Sequence, residues 1–369
     1  MPTALVIGAG IVGAACAAVL ARAGYAVTVL EPGPVGGGAS AAGMGHLVVM
    51  DDSPAQLALT SRSLALWRDL AGQLPARAEY RPCGTLWVAA DGEELAATPA
   101  KQALYALAGV ASEVIEAAEL ARLEPALRAG LAGGLRVPDD AVVYAPVVAA
   151  YLLERAGATL RREAVTALVP GGVRLAGGDT LSADLTVLAG GVGAARLLPG
   201  LPLRPRQGHL LITERAPEAV RHQLVELGYL KSAHGGDVDS VAFNVQPRPG
   251  GQLLVGSSRQ FGRERPDLDW AMLRRMLARA ADYLPGLRSA SALRAWTGLR
   301  AATPDHLPIV GPHPEHPNLY LAVGHEGLGV TTALGTAELL GAYVSGQATP
   351  LKADDYALTP GRFAEAVHA

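Results

Sequence analysis

The chain opens on short apolar runs separated by glycine. Leu5-Val6-Ile7 is a buried-type run, Gly8-Ala9-Gly10-Ile11-Val12-Gly13 is a turn, small residues continue to Arg22, and a second apolar run ends at Glu31. This order predicts strand, turn, helix and strand. Ser53, Pro54 and Gln56 supply an N-cap, an N1 proline and an N3 glutamine, so a helix is expected from there through Trp67 to about residue 70. Residues 81–90 alternate as a strand, and 93–127 read as charged and helical. A helix follows at 146–157, then strands at 164–169 and 173–175.

The run DLTVLAGGVGAARLL returns to a buried strand, ending at Gly190-Gly191 and a helix. QGHLLIT, VAFNVQP and GQLLVGSS are strand-like, and 269–284 is a helix stopped by Pro285-Gly286. LYLAVGHEGLGVTTALGTAELLGAYV closes the pattern as strand, glycine loop and helix. The fold class expected is α/β. A Rossmann-like nucleotide domain is discontinuous over 1–80, 141–203 and 301–369, and an interleaved α+β substrate domain with a mixed or antiparallel sheet occupies 81–140 and 204–300.

Composition narrows the classes. Half of the 369 residues are hydrophobic, 18% are charged and the formal net charge is -3, so no polybasic footprint points to nucleic acid or an anionic membrane. Residues 3–30 are mostly apolar, but glycines and Arg22 interrupt them and no basic stretch precedes them, so neither a transmembrane segment nor a signal peptide is expected. Two cysteines, Cys16 and Cys83, fit a reducing compartment, and the cytoplasm is the expected location. Cys16 reads as a packing residue on the first helix. Only Lys101, Lys231 and Lys352 are lysines among 31 basic residues, a balance that fits coding bias.

The first glycines specify a chemistry. Gly8 allows the tight turn, Gly10 lets backbone approach a pyrophosphate, and Gly13 lets the helix pack against the strand with its N-terminal amides toward the anion. Glu31 stands 23 residues after Gly8, where a carboxylate accepts from adenosine ribose hydroxyls and disfavours a 2′-phosphate. The stretch PGPVGGGASAAGMGH, containing Ser40, suits backbone lying along a second part of the ligand. Gly324 to Gly329, with Gly327 and Leu328 between, opens a helix at Val330 and brings a second positive helix end. A flavin becomes negative at N1 and the C2 carbonyl on reduction, so this end suits a flavin better than a nicotinamide. A glycine-rich turn with no ligand is the bland alternative.

GAGIVG with Glu31, VLAGG at 187–191, TGLRAATPDHLPIVGPHP at 297–314 and GHEGLGVTTALGTAELL at 324–340 resemble the D-amino-acid oxidase superfamily of FAD-dependent amine oxidoreductases, of glycine oxidase and D-amino-acid dehydrogenase type. AAGMGHLVVMDDS at 41–53, GYLKSAHGGD at 228–237 and FNVQPRPGGQLLVGSSRQFG at 243–262 are most similar to bacterial D-hydroxyproline dehydrogenases. The flavin subunits of hydrogen cyanide synthase and opine oxidase share similar runs. The resemblance implies FAD contacts along Gly8, Gly10, Gly13, Glu31, Ser40, Gly190, Gly324, Gly327, Leu328, Gly329 and Val330. It implies non-covalent FAD, since 324–329 hold no cysteine.

It further implies that Arg300 grips a substrate carboxylate, a task suited to a planar guanidinium. Glycine oxidases carry a tyrosine near Phe243-Asn244, so no tyrosine hydroxyl carries over to that strand. His46 stands where it can contact flavin N5, the substrate ring or a hydroxyl, or serve as a structural histidine at a sheet edge; both stay open. His325 reads as held beside the flavin. His306, His313 and His316 with Asp305 and Glu315 read as a rigid exposed turn, with no metal site expected. Arg259, Arg263 and Arg265 read as a solvated charge run.

The function expected is hydride removal from a small D-amino or D-imino acid, cis-4-hydroxy-D-proline first. The alternatives are glycine, sarcosine or D-amino-acid oxidation, a flavoprotein subunit of a cyanide synthase or opine oxidase-like complex, a nicotinamide dehydrogenase using the Gly8 to Glu31 site, and a non-catalytic electron relay. The electron acceptor is unidentified, and the assembly is left open between homo-oligomer and heteromeric complex with small subunits. Related oxidases place a lysine near the flavin; Lys231 alone has a promising position, and slow reaction with oxygen is expected.

Overall fold

The computed structural model describes residues 1–216, 219–228, 239–351 and 358–367, without the side chains of 364–367. Two large sheets organise it. The first has six strands: β1 (Thr3–Ile7), β2 (Ala26–Leu30), β8 (Thr159–Arg161), β12 (Leu185–Leu188), β18 (Ile309–Pro312) and β19 (Leu319–Val323). Their order is β18-β19-β12-β1-β2-β8, all parallel except the β18 edge. Side-chain alternation explains why both faces are covered. Ala4, Val6, Val29 and Val187 point into one core, with the helices Ile11–Arg22, Pro54–Ala71, Ala145–Arg155 and Gly329–Ser345. Leu5, Ile7, Leu30 and Leu188 point into another, closed by the antiparallel sheet of β9 (Val165–Val169), β10 (Gly172–Leu175) and β11 (Thr180–Ser182).

The second sheet has eight strands drawn from distant parts of the chain. They are β4 (Thr85–Ala89), β5 (Glu113–Glu116), β6 (Gly133–Val137), β13 (Arg204–Arg215), β14 (Gln223–Glu226), β15 (Ser240–Pro247), β16 (Gln252–Arg259) and β17 (Ala292–Ala302). The order is β17-β13-β16-β15-β14-β4-β6-β5, antiparallel except for the β14–β4 pair, which is the mixed sheet expected. One face packs Leu86, Leu211, Phe243, Val245 and Val255 against Leu273, Met276 and Tyr283 of the amphipathic Trp270–Tyr283 helix. The other face looks toward the first sheet. A two-stranded ribbon of β3 (His46–Leu47) and β7 (Ala141–Val142) lies beside them.

The capped helix forms as its sequence predicts, with Ser53 Oγ accepting from Gln56 N at 3.2 Å and the helix running Pro54–Ala71. Two expectations change. The helical reading of 93–127 fails in the middle, where β5 pairs with β6; in Glu113-Val-Ile-Glu only Ile115 is buried, and the flanking charges hide an edge strand in a helical-looking stretch. After β12 there is only a 3₁₀ turn, Gly191–Gly193, and the four-residue helix Ala194–Leu197, so Gly190 meets no long helix. Among the described residues no helix is long and apolar enough to cross a membrane.

Candidate active site

One continuous cavity runs from Glu31 to Trp87, between the ends of the parallel strands and the open face of the eight-stranded sheet. Its first half is backbone. Gly8 has φ +103°, and a Cβ there would stand 2.6 Å from the Ala189 carbonyl oxygen; a Cβ on Gly13 would overlap the Gly8 carbonyl oxygen. Only glycine fits either place. Gly10 is the N-cap of the first helix and has no side chain to cap it; Ser40 Oγ accepts instead from Ile11 N at 3.0 Å. Glu31 accepts from Ala9 N at 3.0 Å and Gly33 N at 2.8 Å, which fixes the carboxylate beside the glycine turn and leaves further lone pairs toward the cavity.

The second helix end lies at the other side of the same space. Leu328 caps Gly329–Ser345 without a side-chain hydrogen bond, and Gly324, Gly327, Leu328, Gly329 and Val330 all line the cavity, as does Gly190. Thr331 ties this helix to β3, donating to His46 O at 2.9 Å and accepting from Val48 N at 3.3 Å. Two helix N-termini whose N-cap residues bring no side chain of their own, a Cβ-free cradle and a fixed carboxylate therefore fit an adenine dinucleotide whose far end becomes anionic. The His325 imidazole bonds Thr336 Oγ1 at 3.0 Å, and burial pushes its pKa down to about 4, so it adds no charge to this end at neutral pH.

The remaining wall is made of side chains on the eight-stranded sheet. Arg300 on β17 lies over Gly208 of β13, where a Cβ would overlap its Nη2, and its Cδ is 3.9 Å from the Cβ position of Gly327. Its Nη1 donates to Ser258 O at 3.3 Å. The sheet thus lays the guanidinium on Gly208, with the side-chain stem beside the glycine loop. Arg206, directly opposite Arg300 in the β13–β17 register, pairs with Glu326 and lies 4.6 Å from the Phe261 ring centre. Glu326 also takes His306 Nδ1 at 2.8 Å. Arg206, Arg300, His306 and Glu326 line the cavity.

Strand register also places Trp87, Val225, Asn244 and Gly256 side by side across β4, β14, β15 and β16. Trp87, Val225 and Asn244 line the cavity. Phe243 points the other way and stacks on Tyr283 at 4.5 Å, so of the Phe243-Asn244 pair only the amide faces the ligand space. Behind Trp87 the Lys101 ammonium pairs with Asp51 and sits 4.7 Å from the indole centre.

His46 lines the cavity and its Nε2 makes no well-formed hydrogen bond. Desolvation, aided by the Arg248 charge, pushes its pKa down to about 4 against the favourable Gln246 amide. The ring is therefore neutral and a weak base at physiological pH. Cys16 is buried on its helix, its thiol pushed up to about 12.

Several sequence readings need correction. Arg259 is not solvated: it is half-buried and lines the cavity, because β16 turns it inward, whereas Arg263 is exposed and pairs with Asp269 at 2.9 Å. His306 stays exposed in the expected turn, yet its φ of +61° also brings its ring to Glu326, while His313 and His316 lie with ring centres 4.6 Å apart. Among the described residues no three His, Cys, Asp or Glu side chains gather as a metal would require. Lys231 and nearly all of the 228–237 motif lie outside the described residues. The sequence reading missed Arg206, Glu326 and Trp87. For Asn244 a signal existed in the alternation Phe243-Asn244-Val245-Gln246, two amides sharing one face of an apolar strand.

Known proteins resemble the chain over nearly its whole length. The glycine oxidase of Geobacillus kaustophilus is 29% identical over 373 residues, covering 96% of both chains. D-amino acid dehydrogenase 2 of Pseudomonas aeruginosa is 34% identical over 240 residues, covering 62% of this chain and 55% of that one. The crystal structure of the Geobacillus kaustophilus glycine oxidase superposes with a TM-score of 0.86 at 26% identity, over 98% of this chain and 99% of the other. The family model DAO, described as FAD dependent oxidoreductase, matches residues 3–343. The chain belongs to this family of FAD-dependent oxidoreductases that act on amino acids.

Proposed function

We propose that the protein is a dehydrogenase of small D-configured imino acids, with cis-4-hydroxy-D-proline as its substrate. The observation that carries the reading is Arg300, its guanidinium laid on Gly208 and its stem passing Gly327, at the edge of the glycine loop that would meet a flavin. The half-buried guanidinium there pairs with one carboxylate and fixes the α-carbon. Val225, Leu210 and Trp87 offer apolar walls for a small ring. The D configuration is supported by the likeness to the Pseudomonas aeruginosa D-amino acid dehydrogenase.

FAD, held by the Gly8 to Gly13 cradle, Glu31, Ser40, Gly190 and the Gly329 helix end, would accept the hydride of the α-carbon. The chain's own contribution is placement. Arg300 orients the carboxylate, the lone pair of the neutral ring nitrogen forms the C=N bond as hydride leaves, and the cyclic iminium cation so formed gives the imine by releasing its N–H proton to solvent. Neutral His46 neither takes the amine proton nor repels a cationic product. The amides at Gly329 and Val330 stabilise negative charge at the loop end.

Oxidation of glycine or sarcosine is the second reading, favoured by the full-length likeness to a glycine oxidase. Anaerobic mixing with cis-4-hydroxy-D-proline, D-proline, glycine and sarcosine, followed by flavin absorbance, separates the two. Bleaching by the hydroxylated D-imino acid at the lowest concentration is expected. Bleaching by glycine or sarcosine, but by neither D-imino acid, would replace the first reading with the second.

A further inference from the structure

We propose that Asn244, with Trp87, reads a hydroxyl on the substrate at the end away from its carboxylate. The proposal rests on the imino-acid reading above and assigns the residues that select within that class. Asn244 is 8% exposed and lines the cavity, yet its Oδ1 has no hydrogen-bond partner among the described residues. Trp87 is 2% exposed and lines the same cavity, and its Nε1 likewise has none among them. A buried amide carbonyl and a buried indole N–H left unmade each cost stability, so the fold keeps them for something that enters the cavity.

Register shows why protein cannot fill the need. Asn244 stands between Val225 on β14 and Gly256 on β16, and Val225 stands between Asn244 and Trp87. Valine and glycine bring no side-chain donor or acceptor. The next amide on the same face, Gln246, donates to Met44 O at 2.7 Å and is fully buried, outside the cavity lining. A Cβ on Gly256 would meet Leu210 Cδ2 at 2.9 Å and Met44 Sδ at 3.0 Å, so apolar atoms close the opposite side. The Lys101 ammonium behind the indole holds the ring, leaving its position fixed against the cavity.

An unpaired acceptor and an unpaired donor on either side of Val225 describe the complement of a hydroxyl, which donates and accepts at once. A carboxylate would face the Asn244 carbonyl without a proton to share, and an ammonium could not accept from the indole. Arg300 belongs to the same face of the sheet: its Nη1 donates to Ser258 O, and Ser258 stands two residues along β16 from Gly256, the residue opposite Asn244. That is about 7 Å along the strand, the scale of one small ring acid, so carboxylate and hydroxyl are read at its separate ends.

The test compares flavin reduction by cis-4-hydroxy-D-proline and by D-proline in the FAD-loaded wild type, Asn244→Leu and Trp87→Phe, with FAD content and melting temperature as controls. Wild type should prefer the hydroxylated substrate by about 30-fold or more in kcat/KM. Asn244→Leu should bring that ratio to about 1 by losing activity on the hydroxylated substrate alone, and Trp87→Phe, which keeps the ring, should lower it by about 3- to 10-fold. Should Asn244→Leu fail to retain FAD, Asn244→Ser and Trp87→Phe carry the same comparison. An unchanged ratio in the variants overturns the inference and leaves the imino-acid reading standing. Reduction of wild type by neither D-imino acid overturns both.

Discussion

Between Gly8 and Val330 the cavity wall is chiefly backbone, while between Trp87 and Arg300 it is side chains carried on β4, β13, β14, β15, β16 and β17. The first end binds through glycine conformations and helix N-termini, which tolerate no Cβ but make few distinctions among ligands. The second end carries the proposed carboxylate and hydroxyl sites, and each depends on strand register. Loss of a contact should therefore remove the cofactor at one end and change selectivity at the other.

The largest effect is expected where the backbone end is tightest. Gly13→Ala places its Cβ inside the Gly8 carbonyl, with main chain on both sides unable to yield, and should cost about 4 kcal/mol or more. The variant should purify colourless, with a lowered melting temperature; a yellow, wild-type-like protein would remove the packing argument.

Behind the side-chain end, burial pushes the Asp140 carboxyl up to about 7, against a hydrogen bond from Val49 N at 3.3 Å. The native state then holds a proton that the unfolded chain releases near pH 4. Stability from this group is present below pH 4, falls as pH rises toward 7 and is absent above it. The conversion gives at most about 4 kcal/mol, and about 2 after internal screening. Asp140→Asn should melt higher than wild type at pH 8 and close to it at pH 4, and an equal difference at both pH values would refute the assignment.

Gly208→Ala tests the carboxylate site without touching Arg300. The added methyl would displace the guanidinium, so kcat/KM should fall by about 1 to 3 kcal/mol with FAD content unchanged. Full activity would show that the flat packing is incidental. The smallest change belongs to Glu31→Ala, which should weaken FAD retention by about 1 to 2 kcal/mol, read by equilibrium dialysis of the holoprotein. Unchanged retention would mean that Glu31 serves only the turn.

The backbone end was legible because its requirements are local. Gly8, Gly10, Gly13 and Glu31 fall within one strand, turn, helix and strand, and each spacing has its own steric reason. The side-chain end depends on pairing between distant strands. Arg206 meets Arg300 only once β13 lies against β17, and Arg259 resembles its solvated neighbours until β16 turns it inward. His306 needed a left-handed backbone to return to Glu326, which no local pattern specified. In the same way the edge strand Glu113–Glu116 exists through its pairing with β6, its own charges arguing for helix.

Arg300 joins the two ends, and its removal is the most direct test of the whole arrangement. Wild type and Arg300→Met, both loaded with FAD, are mixed anaerobically with cis-4-hydroxy-D-proline while flavin absorbance is followed. The expected result is equal FAD content, rapid bleaching of wild type, and a loss in the variant of about 2 to 5 kcal/mol in kcat/KM, since a desolvated carboxylate loses its paired charge. Equal bleaching of both proteins would contradict the account, because the carboxylate would then be held elsewhere.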